Sequence, residues 1–355
     1  MGVKKILILC PHLSEKGGVA DYYRLVREYF TSGGIHLEYF YTGSNGPCRS
    51  LAGKILRTVR DGVALAAKLR NTDLVVLNPS LDVKALVRDA FFHAIAKRLC
   101  GKKTVVFFHG WDCRLEQVID RSVRRAFRLL FNFDRAIVLA RQFRATLIVW
   151  GYAPEQVVLE TTAYEQQAES SENDPRNIVY LARFVPGKGC MEALQTIDLL
   201  RAEFPDIRLY MAGDGELTKE LQAYVVDRDL GGQVTFTGWL DGQEKACLLR
   251  SCGIMLYPTD YGEGMPLCLL EGMGMGLAVI TRPVAGIADI MEDGVTGFLV
   301  STLEPADFAE KVSSLLTDRP MWKKISAYNR SQAIKKFEIR SVVKRIEQLY
   351  LETAR

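Results

Sequence analysis

Glu263 and Glu271 stand eight residues apart in the segment Tyr261-Gly-Glu-Gly-Met-Pro-Leu-Cys-Leu-Leu-Glu271. Gly262, Gly264 and Pro266 interrupt regular structure around the first acid. Pro266 suits the first turn of a helix, where its missing N–H costs little. Leu267 to Gly276 reads as that helix, with Glu271 in its second turn. A carboxylate accepts hydrogen bonds and so reads hydroxyls. A helix start, with unpaired N–H groups and the positive end of the dipole, favours an anion. Two hydroxyl-reading acids around an anion-binding helix start describe one class of ligand. It is a sugar nucleotide, with hydroxyls at both ends and a diphosphate between.

A diphosphate needs cations, and Leu181-Ala-Arg-Phe-Val-Pro-Gly-Lys-Gly189 supplies two. Arg183 offers a planar fork of donors and Lys188 a point charge. The apolar run Asn177-Ile-Val-Tyr-Leu181 before them reads as a buried strand. Pro186, Gly187 and Gly189 turn the chain after that strand and let its backbone approach a ligand. Charge-assisted hydrogen bonds from such a pair are worth roughly 1.5–3 kcal/mol each. Cations in a loop, or acids on a helix edge, are each unremarkable alone. Their joint occurrence in one half of the chain is the signal.

Other residues carry weaker signals. Gly17 and Gly18, in Glu15-Lys-Gly-Gly-Val19, lie between the first strand-like run and the first helix-like run, where backbone could meet a phosphate or sugar. The segment holds no Gly-x-Gly-x-x-Gly nicotinamide motif and leads into no P-loop. His109 closes the run Val105-Val-Phe-Phe-His109, and a histidine at a strand end can hydrogen-bond a sugar hydroxyl. Asp227-Arg-Asp229 has a metal-holding pattern but reads as a solvated helix end. With two cations for the diphosphate, no metal is required. Gly272, Gly274 and Gly276 are costly in a helix, about 1 kcal/mol each relative to Ala, and imply close packing.

The elements that must position these residues are visible as alternation. The first half offers strands at 5–10, 37–41, 74–77, 104–108 and 136–139, with helical patterns near 19–31, 51–70, 82–100 and 114–130. The second half offers strands at 177–181, 207–212, 233–237, 253–257, 278–280 and 297–300, and helices after about 319. Between the halves, the polar stretch 165–175 reads as a linker. Such βαβ alternation implies parallel sheets covered by helices, which bind ligands at the carboxyl ends of their strands. The length of 355 residues suits two domains, and 48% hydrophobic with 25% charged residues is ordinary for a globular chain. Ile6–Cys10 is too short for a signal-peptide core and reads as a strand. The eight scattered cysteines, with no Cys-x-x-Cys, read as thiols in a reducing compartment.

Charge is uneven. Residues 1–150 hold 25 Lys and Arg against 12 Asp and Glu, while the remainder holds 21 against 30. The basic half invites an anionic partner. Helical segments 84–98 and 121–130 are amphipathic with cationic faces, which suits an anionic membrane surface. Nucleic acid is not expected, because no aromatic platform or recognition motif accompanies the charge.

The Arg-x4-Lys pair, followed about 80 residues later by the Glu-x7-Glu pair, resembles the donor-site signature of the retaining glycosyltransferases of family GT4, which have the GT-B fold. The likeness extends through Ile207–Glu216, Val234–Trp239, Met255–Pro258 and Gly286–Val300, and more weakly to Glu15–Val19, His109 and Phe133–Leu139. It implies an α/β protein with two Rossmann-like, doubly wound parallel-sheet domains facing across a cleft. The expected boundaries are 1–165 on the acceptor side and 176–335 on the donor side, with 336–355 a helix returning to the first domain. The resemblance implies that Arg183, Lys188, Glu263 and His109 serve catalysis. Glu263 and His109 would meet the donor sugar, Glu271 the ribose and Trp239 the nucleobase. Gly17, Gly18, Gly213, Gly264, Met265, Pro266 and Leu267 would complete the donor site. The implied substrate is a UDP- or GDP-linked sugar and the implied acceptor a glycan or lipid-linked hydroxyl, with neither cofactor nor metal. Retention would proceed by front-face attack, the leaving phosphate taking the acceptor proton. Polysaccharide or glycolipid assembly at the cytoplasmic face of a membrane is the expected setting. A non-catalytic nucleotide-sugar binder or an epimerase on the same scaffold is the alternative.

Overall fold

The first apolar run folds as strand β1 (Lys4–Cys10), whose last five residues are buried. In the computed structural model, which describes residues 3–15, 17–31, 33–42, 51–165, 173–262 and 264–355, β1 opens a parallel sheet. The other strands of that sheet are β2 (Ile35–Tyr41), β3 (Leu74–Leu77), β5 (Lys103–Phe108), β7 (Arg135–Val138) and β8 (Val157–Leu159). Among the described residues the order is β2-β1-β3-β5-β7-β8. β3 is buried at all four positions, as a strand covered on both faces must be. A ribbon of β4 (Ser80–Leu81) and β6 (Gly110–Trp111) sits beyond the sheet. The helices of this half are α1 (Gly18–Val26), α2 (Leu51–Lys68), α3 (Val83–Ala94), α4 (Cys113–Val118), α5 (Arg124–Leu130) and α6 (Arg141–Val149).

A second parallel sheet has the order β11-β10-β9-β12-β13-β14 among the described residues. Its strands are β9 (Asp174–Leu181), β10 (Arg208–Ala212), β11 (Val234–Gly238), β12 (Cys252–Tyr257), β13 (Ala278–Thr281) and β14 (Gly297–Leu299). The accompanying helices are α7 (Cys190–Leu200), α8 (Thr218–Asp227), α9 (Gly242–Ser251), α10 (Leu267–Gly274), α11 (Ile287–Ile290), α12 (Pro305–Thr317) and α13 (Arg319–Phe337). β12 is buried at every position. The last helix, α14 (Ile339–Thr353), buries Ile339, Val342, Val343, Ile346 and Tyr350, an amphipathic stripe.

The chain divides into two compact units. One comprises Met1–Ala163, Gly262–Met265 and Ile339–Arg355, and the other Tyr164–Tyr261 and Pro266–Glu338. Within the first, α14 packs by a near-parallel stack of Tyr350 on Phe30, and Arg345 grips Glu160 through two bonds of 2.8 and 2.6 Å.

In both parallel sheets the strand order reverses at one point. In the first, β2 lies on one side of β1 and β3 on the other. In the second, β10 lies on one side of β9 and β12 on the other. These are the topological switch points outside which open α/β sheets bind ligands.

Candidate functional site

The loop after β9 carries Arg183 and Lys188 to the second unit's switch point. Tight turns fix it on both flanks. A Cβ on Gly213 would stand 1.9 Å from the Ala182 carbonyl oxygen, and one on Gly215 would stand 2.3 Å from that of Phe184. The turn after β10 therefore closes on the backbone either side of Arg183, aided by Phe184 N–H donating to Asp214 O at 2.9 Å. The Arg183 side chain is exposed. Gly189, at φ 75°, would place a Cβ 2.2 Å from the Pro258 carbonyl oxygen, and Asp260 N–H donates to Gly187 O at 2.7 Å. The Lys188 turn thus lies directly against the end of β12.

Lys188 is buried, with 8% of its surface exposed. Its Nζ donates to the Tyr257 hydroxyl at 3.3 Å and sits 4.4 Å from the centre of the Tyr261 ring. Its own carbonyl accepts from the Tyr180 hydroxyl at 3.0 Å. The Tyr257 hydroxyl and the Tyr261 π face hold the ammonium in place. A sheltered cation at a switch point is suited to an anionic ligand.

Glu271 lies in α10 and accepts a 2.6 Å bond from Lys245 Nζ of α9, the two side chains being 19% and 26% exposed. No local pattern marks Lys245 as part of the site, since 26 residues separate it from its partner. Pro266 is the N-cap of α10 and lies just outside the helix rather than in its first turn. Leu267 begins the helix, and no side chain caps it. The helix stops at Gly274 instead of continuing to Gly276, because Gly276 turns to φ 81°. A Cβ on Gly272 would stand 2.8 Å from Met255 Cε, and one on Gly274 would stand 2.3 Å from the Tyr164 ring. Gly272 lets α10 approach β12 closely, and Gly274 lets it approach the Tyr164 ring. Trp239 follows Gly238, the last residue of β11 at φ 70°, and is half-buried. Asp227 and Asp229 are exposed at the end of α8, and Arg228 between them pairs with Asp198 at 2.8 Å. Among the described residues no three His, Cys, Asp or Glu side chains are grouped to hold a metal.

In the first unit, Gly17 caps α1 and Gly18 begins it. A Cβ on either would meet nothing within 4 Å, so the α1 start is open. His109 follows β5, and burial lowers its pKa to about 3. The ring stacks on Phe107 at 4.0 Å, and its Nε2 lies 3.0 Å from Asn78 Oδ1. Asp112 is the N-cap of α4, accepting from the Arg114 and Leu115 N–H groups at 2.8 and 3.4 Å. The segment Gly262–Met265 belongs to this unit. A Cβ on Gly262 would stand 2.0 Å from Trp111 O, one on Gly264 would stand 2.6 Å from His109 O, and Met265 O accepts from Thr162 Oγ1 at 3.3 Å. Glu263 itself lies outside the described residues.

Known proteins resemble this chain in both sequence and fold. The family model described as glycosyl transferases group 1 matches residues 162–332. The amylovoran biosynthesis glycosyltransferase AmsK of Erwinia amylovora is 25% identical over 230 residues, covering 62% of this chain and 55% of the relative. The phosphatidyl-myo-inositol mannosyltransferase of Mycolicibacterium smegmatis is 31% identical over 142 residues, covering 40% and 35%. The chain thus spans about half the length of several curated relatives that it matches. Among solved structures, HepE of Anabaena in complex with UDP and glucose aligns with a TM-score of 0.75 at 19% identity, over 98% of this chain and 99% of that one. Sucrose-phosphate synthase of Thermosynechococcus elongatus aligns with a TM-score of 0.77 at 19% identity, over 98% of both chains. Residues 162–332, just under half of the chain, thus match the glycosyl transferases group 1 family, and the two parallel-sheet units have the GT-B fold of these solved structures.

Proposed function

We propose that the chain is a retaining glycosyltransferase that moves a sugar from a UDP- or GDP-linked donor to a hydroxyl of a glycan or lipid-linked acceptor. The observation that carries this reading is the buried Lys188 at the β9/β12 switch point, on a turn that glycines press against the end of β12. Lys188 and Arg183 stabilise the diphosphate as the bond from the anomeric carbon to the phosphate oxygen breaks and negative charge grows on the leaving group. The acceptor oxygen bonds to the same face of the anomeric carbon and its proton passes to the leaving phosphate. The two cations offset the diphosphate charge, so the reaction is metal-independent. Glu271 receives the ribose hydroxyls, with Lys245 on its other lone pairs. Glu263 and His109 hold the sugar and Trp239 stacks on the base. Gly213, Gly264, Met265, Pro266 and Leu267, with Gly17 and Gly18, line the donor path. Relatives named for amylovoran and colanic acid biosynthesis support a role in glycan assembly, which we place at the cell surface's cytoplasmic side as part of this proposal. The test is incubation with UDP- and GDP-sugars and an acceptor library, with NMR of the product. A product with the donor's anomeric configuration is expected. Binding without turnover would leave a binding protein, and a changed free nucleotide sugar would leave an epimerase.

The same reading extends to a membrane surface. No helix among the described residues is long and apolar enough to cross a bilayer. On α2, however, Ile55, Val59 and Val63 recur every fourth residue and are exposed, as are Val83 and Val87 of α3. Gly62 lets the two helices touch, since a Cβ there would stand 2.7 Å from the Phe91 ring. Arg57, Arg60 and Lys84 lie on the same two helices. An apolar stripe flanked by cations suits a peripheral contact with an anionic leaflet. Flotation with phosphatidylglycerol vesicles, lost in added salt and absent with phosphatidylcholine, is expected; equal flotation with both lipids would refute the electrostatic part.

A further inference from the structure

Asn78 directly follows β3, beside the first unit's switch point, and is 4% exposed. Its Nδ2 donates to the Leu9 carbonyl of β1 at 2.9 Å. Its Oδ1 faces the Tyr23 hydroxyl at 2.8 Å and His109 Nε2 at 3.0 Å. The amide cannot be reversed, because that would set Oδ1 against the Leu9 carbonyl, two acceptors in contact. Oδ1 is therefore the group presented to His109, and an amide oxygen only accepts. Nε2 must then carry a proton. Tyr23 is itself buried and keeps its proton, its pKa raised well above the ordinary value by that burial, so it is a second donor to the same oxygen. The His109 ring is fixed sideways by Phe107 at 4.0 Å and by the edge of Tyr22 at 5.3 Å. Burial also keeps the imidazole neutral at physiological pH. A neutral ring with its proton on Nε2 has an unprotonated Nδ1.

We infer that Asn78 is a positioning residue that locks His109 in the Nε2–H tautomer, so that Nδ1 meets the substrate as a hydrogen-bond acceptor. The group it takes is then a donor, a hydroxyl of the transferred sugar, and not a phosphate oxygen, which accepts only. The assignment of that hydroxyl rests on the proposed glycosyl transfer; the tautomer does not. Three strand ends are tied by one amide: β1 through Leu9, β3 through Asn78 itself and β5 through His109. The lock is therefore part of the sheet's own architecture, already set before a ligand arrives.

The experiment is nitrogen-15 NMR of the full chain labelled in its four histidines, with His109 assigned by the His109→Gln spectrum. Free protein is expected to show a pyridine-like Nδ1 and a pyrrole-like Nε2 at His109, constant between about pH 5 and 8, through which an ordinary histidine titrates. The opposite tautomer, or protonation within that range, overturns the inference. Asn78→Leu removes the acceptor and should lower the ratio of Nε2–H to Nδ1–H tautomer about threefold to tenfold, the worth of one neutral hydrogen bond. An unchanged ratio in a variant with native near-UV circular dichroism overturns the role of Asn78. Asn78→Asp sets a carboxylate beside the ring and should bring protonation of His109 up towards neutral pH; a His109 that stays neutral there overturns it too. UDP-glucose and GDP-mannose are then added, with UDP and GDP as controls. A shift of Nδ1 with a nucleotide sugar and not with the nucleotide alone supports sugar recognition; a shift with the nucleotide alone overturns it. A protein that binds neither refutes glycosyl transfer while leaving the tautomer result intact.

Discussion

Replacing Glu271 by Ala gives a sharp test of the ribose assignment. The carboxylate is 19% exposed and already accepts a 2.6 Å bond from Lys245, so its orientation is fixed before a ligand arrives. Two ribose hydroxyls donating to an ionised acceptor are worth about 1.5 kcal/mol each at the low end. Their joint loss of about 3 kcal/mol corresponds to roughly a 100-fold rise in Kd. The assay is calorimetric titration of UDP or GDP against its 2′,3′-dideoxy analogue. Wild-type protein should prefer the ribonucleotide by about 100-fold, and Glu271→Ala should bind both equally weakly. Lys245→Met should fall between, about tenfold weaker than wild type, since the acid keeps its hydroxyls but loses its anchor. Undiminished discrimination in Glu271→Ala would refute the reasoning, because another group would then be reading the ribose.

Three further outcomes are expected. Gly213→Ala would force a Cβ to 1.9 Å from a backbone oxygen at φ 154°, so stability should fall by about 3 kcal/mol or more in denaturant titration. Arg345→Ala leaves the nearly buried Glu160 without its bidentate partner, which is itself half-exposed, at a cost of about 1–2 kcal/mol, and α14 should lose amide-exchange protection first. His93 and His109 have pKa values lowered by burial to about 4 and about 3. The unfolded chain then binds more protons below about pH 6.5, so stability is full above that pH and falls on acidification by up to about 1.4 kcal/mol per unit for each histidine; His93→Gln should flatten the slope measured between pH 7 and 5.

How much of the molecule is legible in the sequence depends on the range of the forces involved. β3 and β12 are continuous apolar runs because both faces are covered, and such runs are visible locally. β8 is three residues long, and β4 and β6 two each, too short for any periodicity to mark. Gly276 ends α10 early through its left-handed backbone, a property that Gly tolerates but does not announce. At the candidate site, Lys188 and Glu271 stand out in the sequence by type and spacing. Their partners are not: Tyr257 is 69 residues from Lys188, Lys245 is 26 from Glu271, and Asn78 is 31 from His109. Each contact depends on which strands are neighbours, and one chain's residue types do not encode that order.

The central assignment is that Lys188 and Arg183 receive the diphosphate of a nucleotide sugar. Its most direct measurement is calorimetry of uridine, UDP, guanosine and GDP with wild type, Arg183→Ala and Lys188→Ala. Each substitution should weaken the cognate diphosphate by about 10- to 100-fold, as loss of one charge-assisted bond requires, and leave the nucleoside unchanged. Equal diphosphate affinity in all three proteins would contradict it.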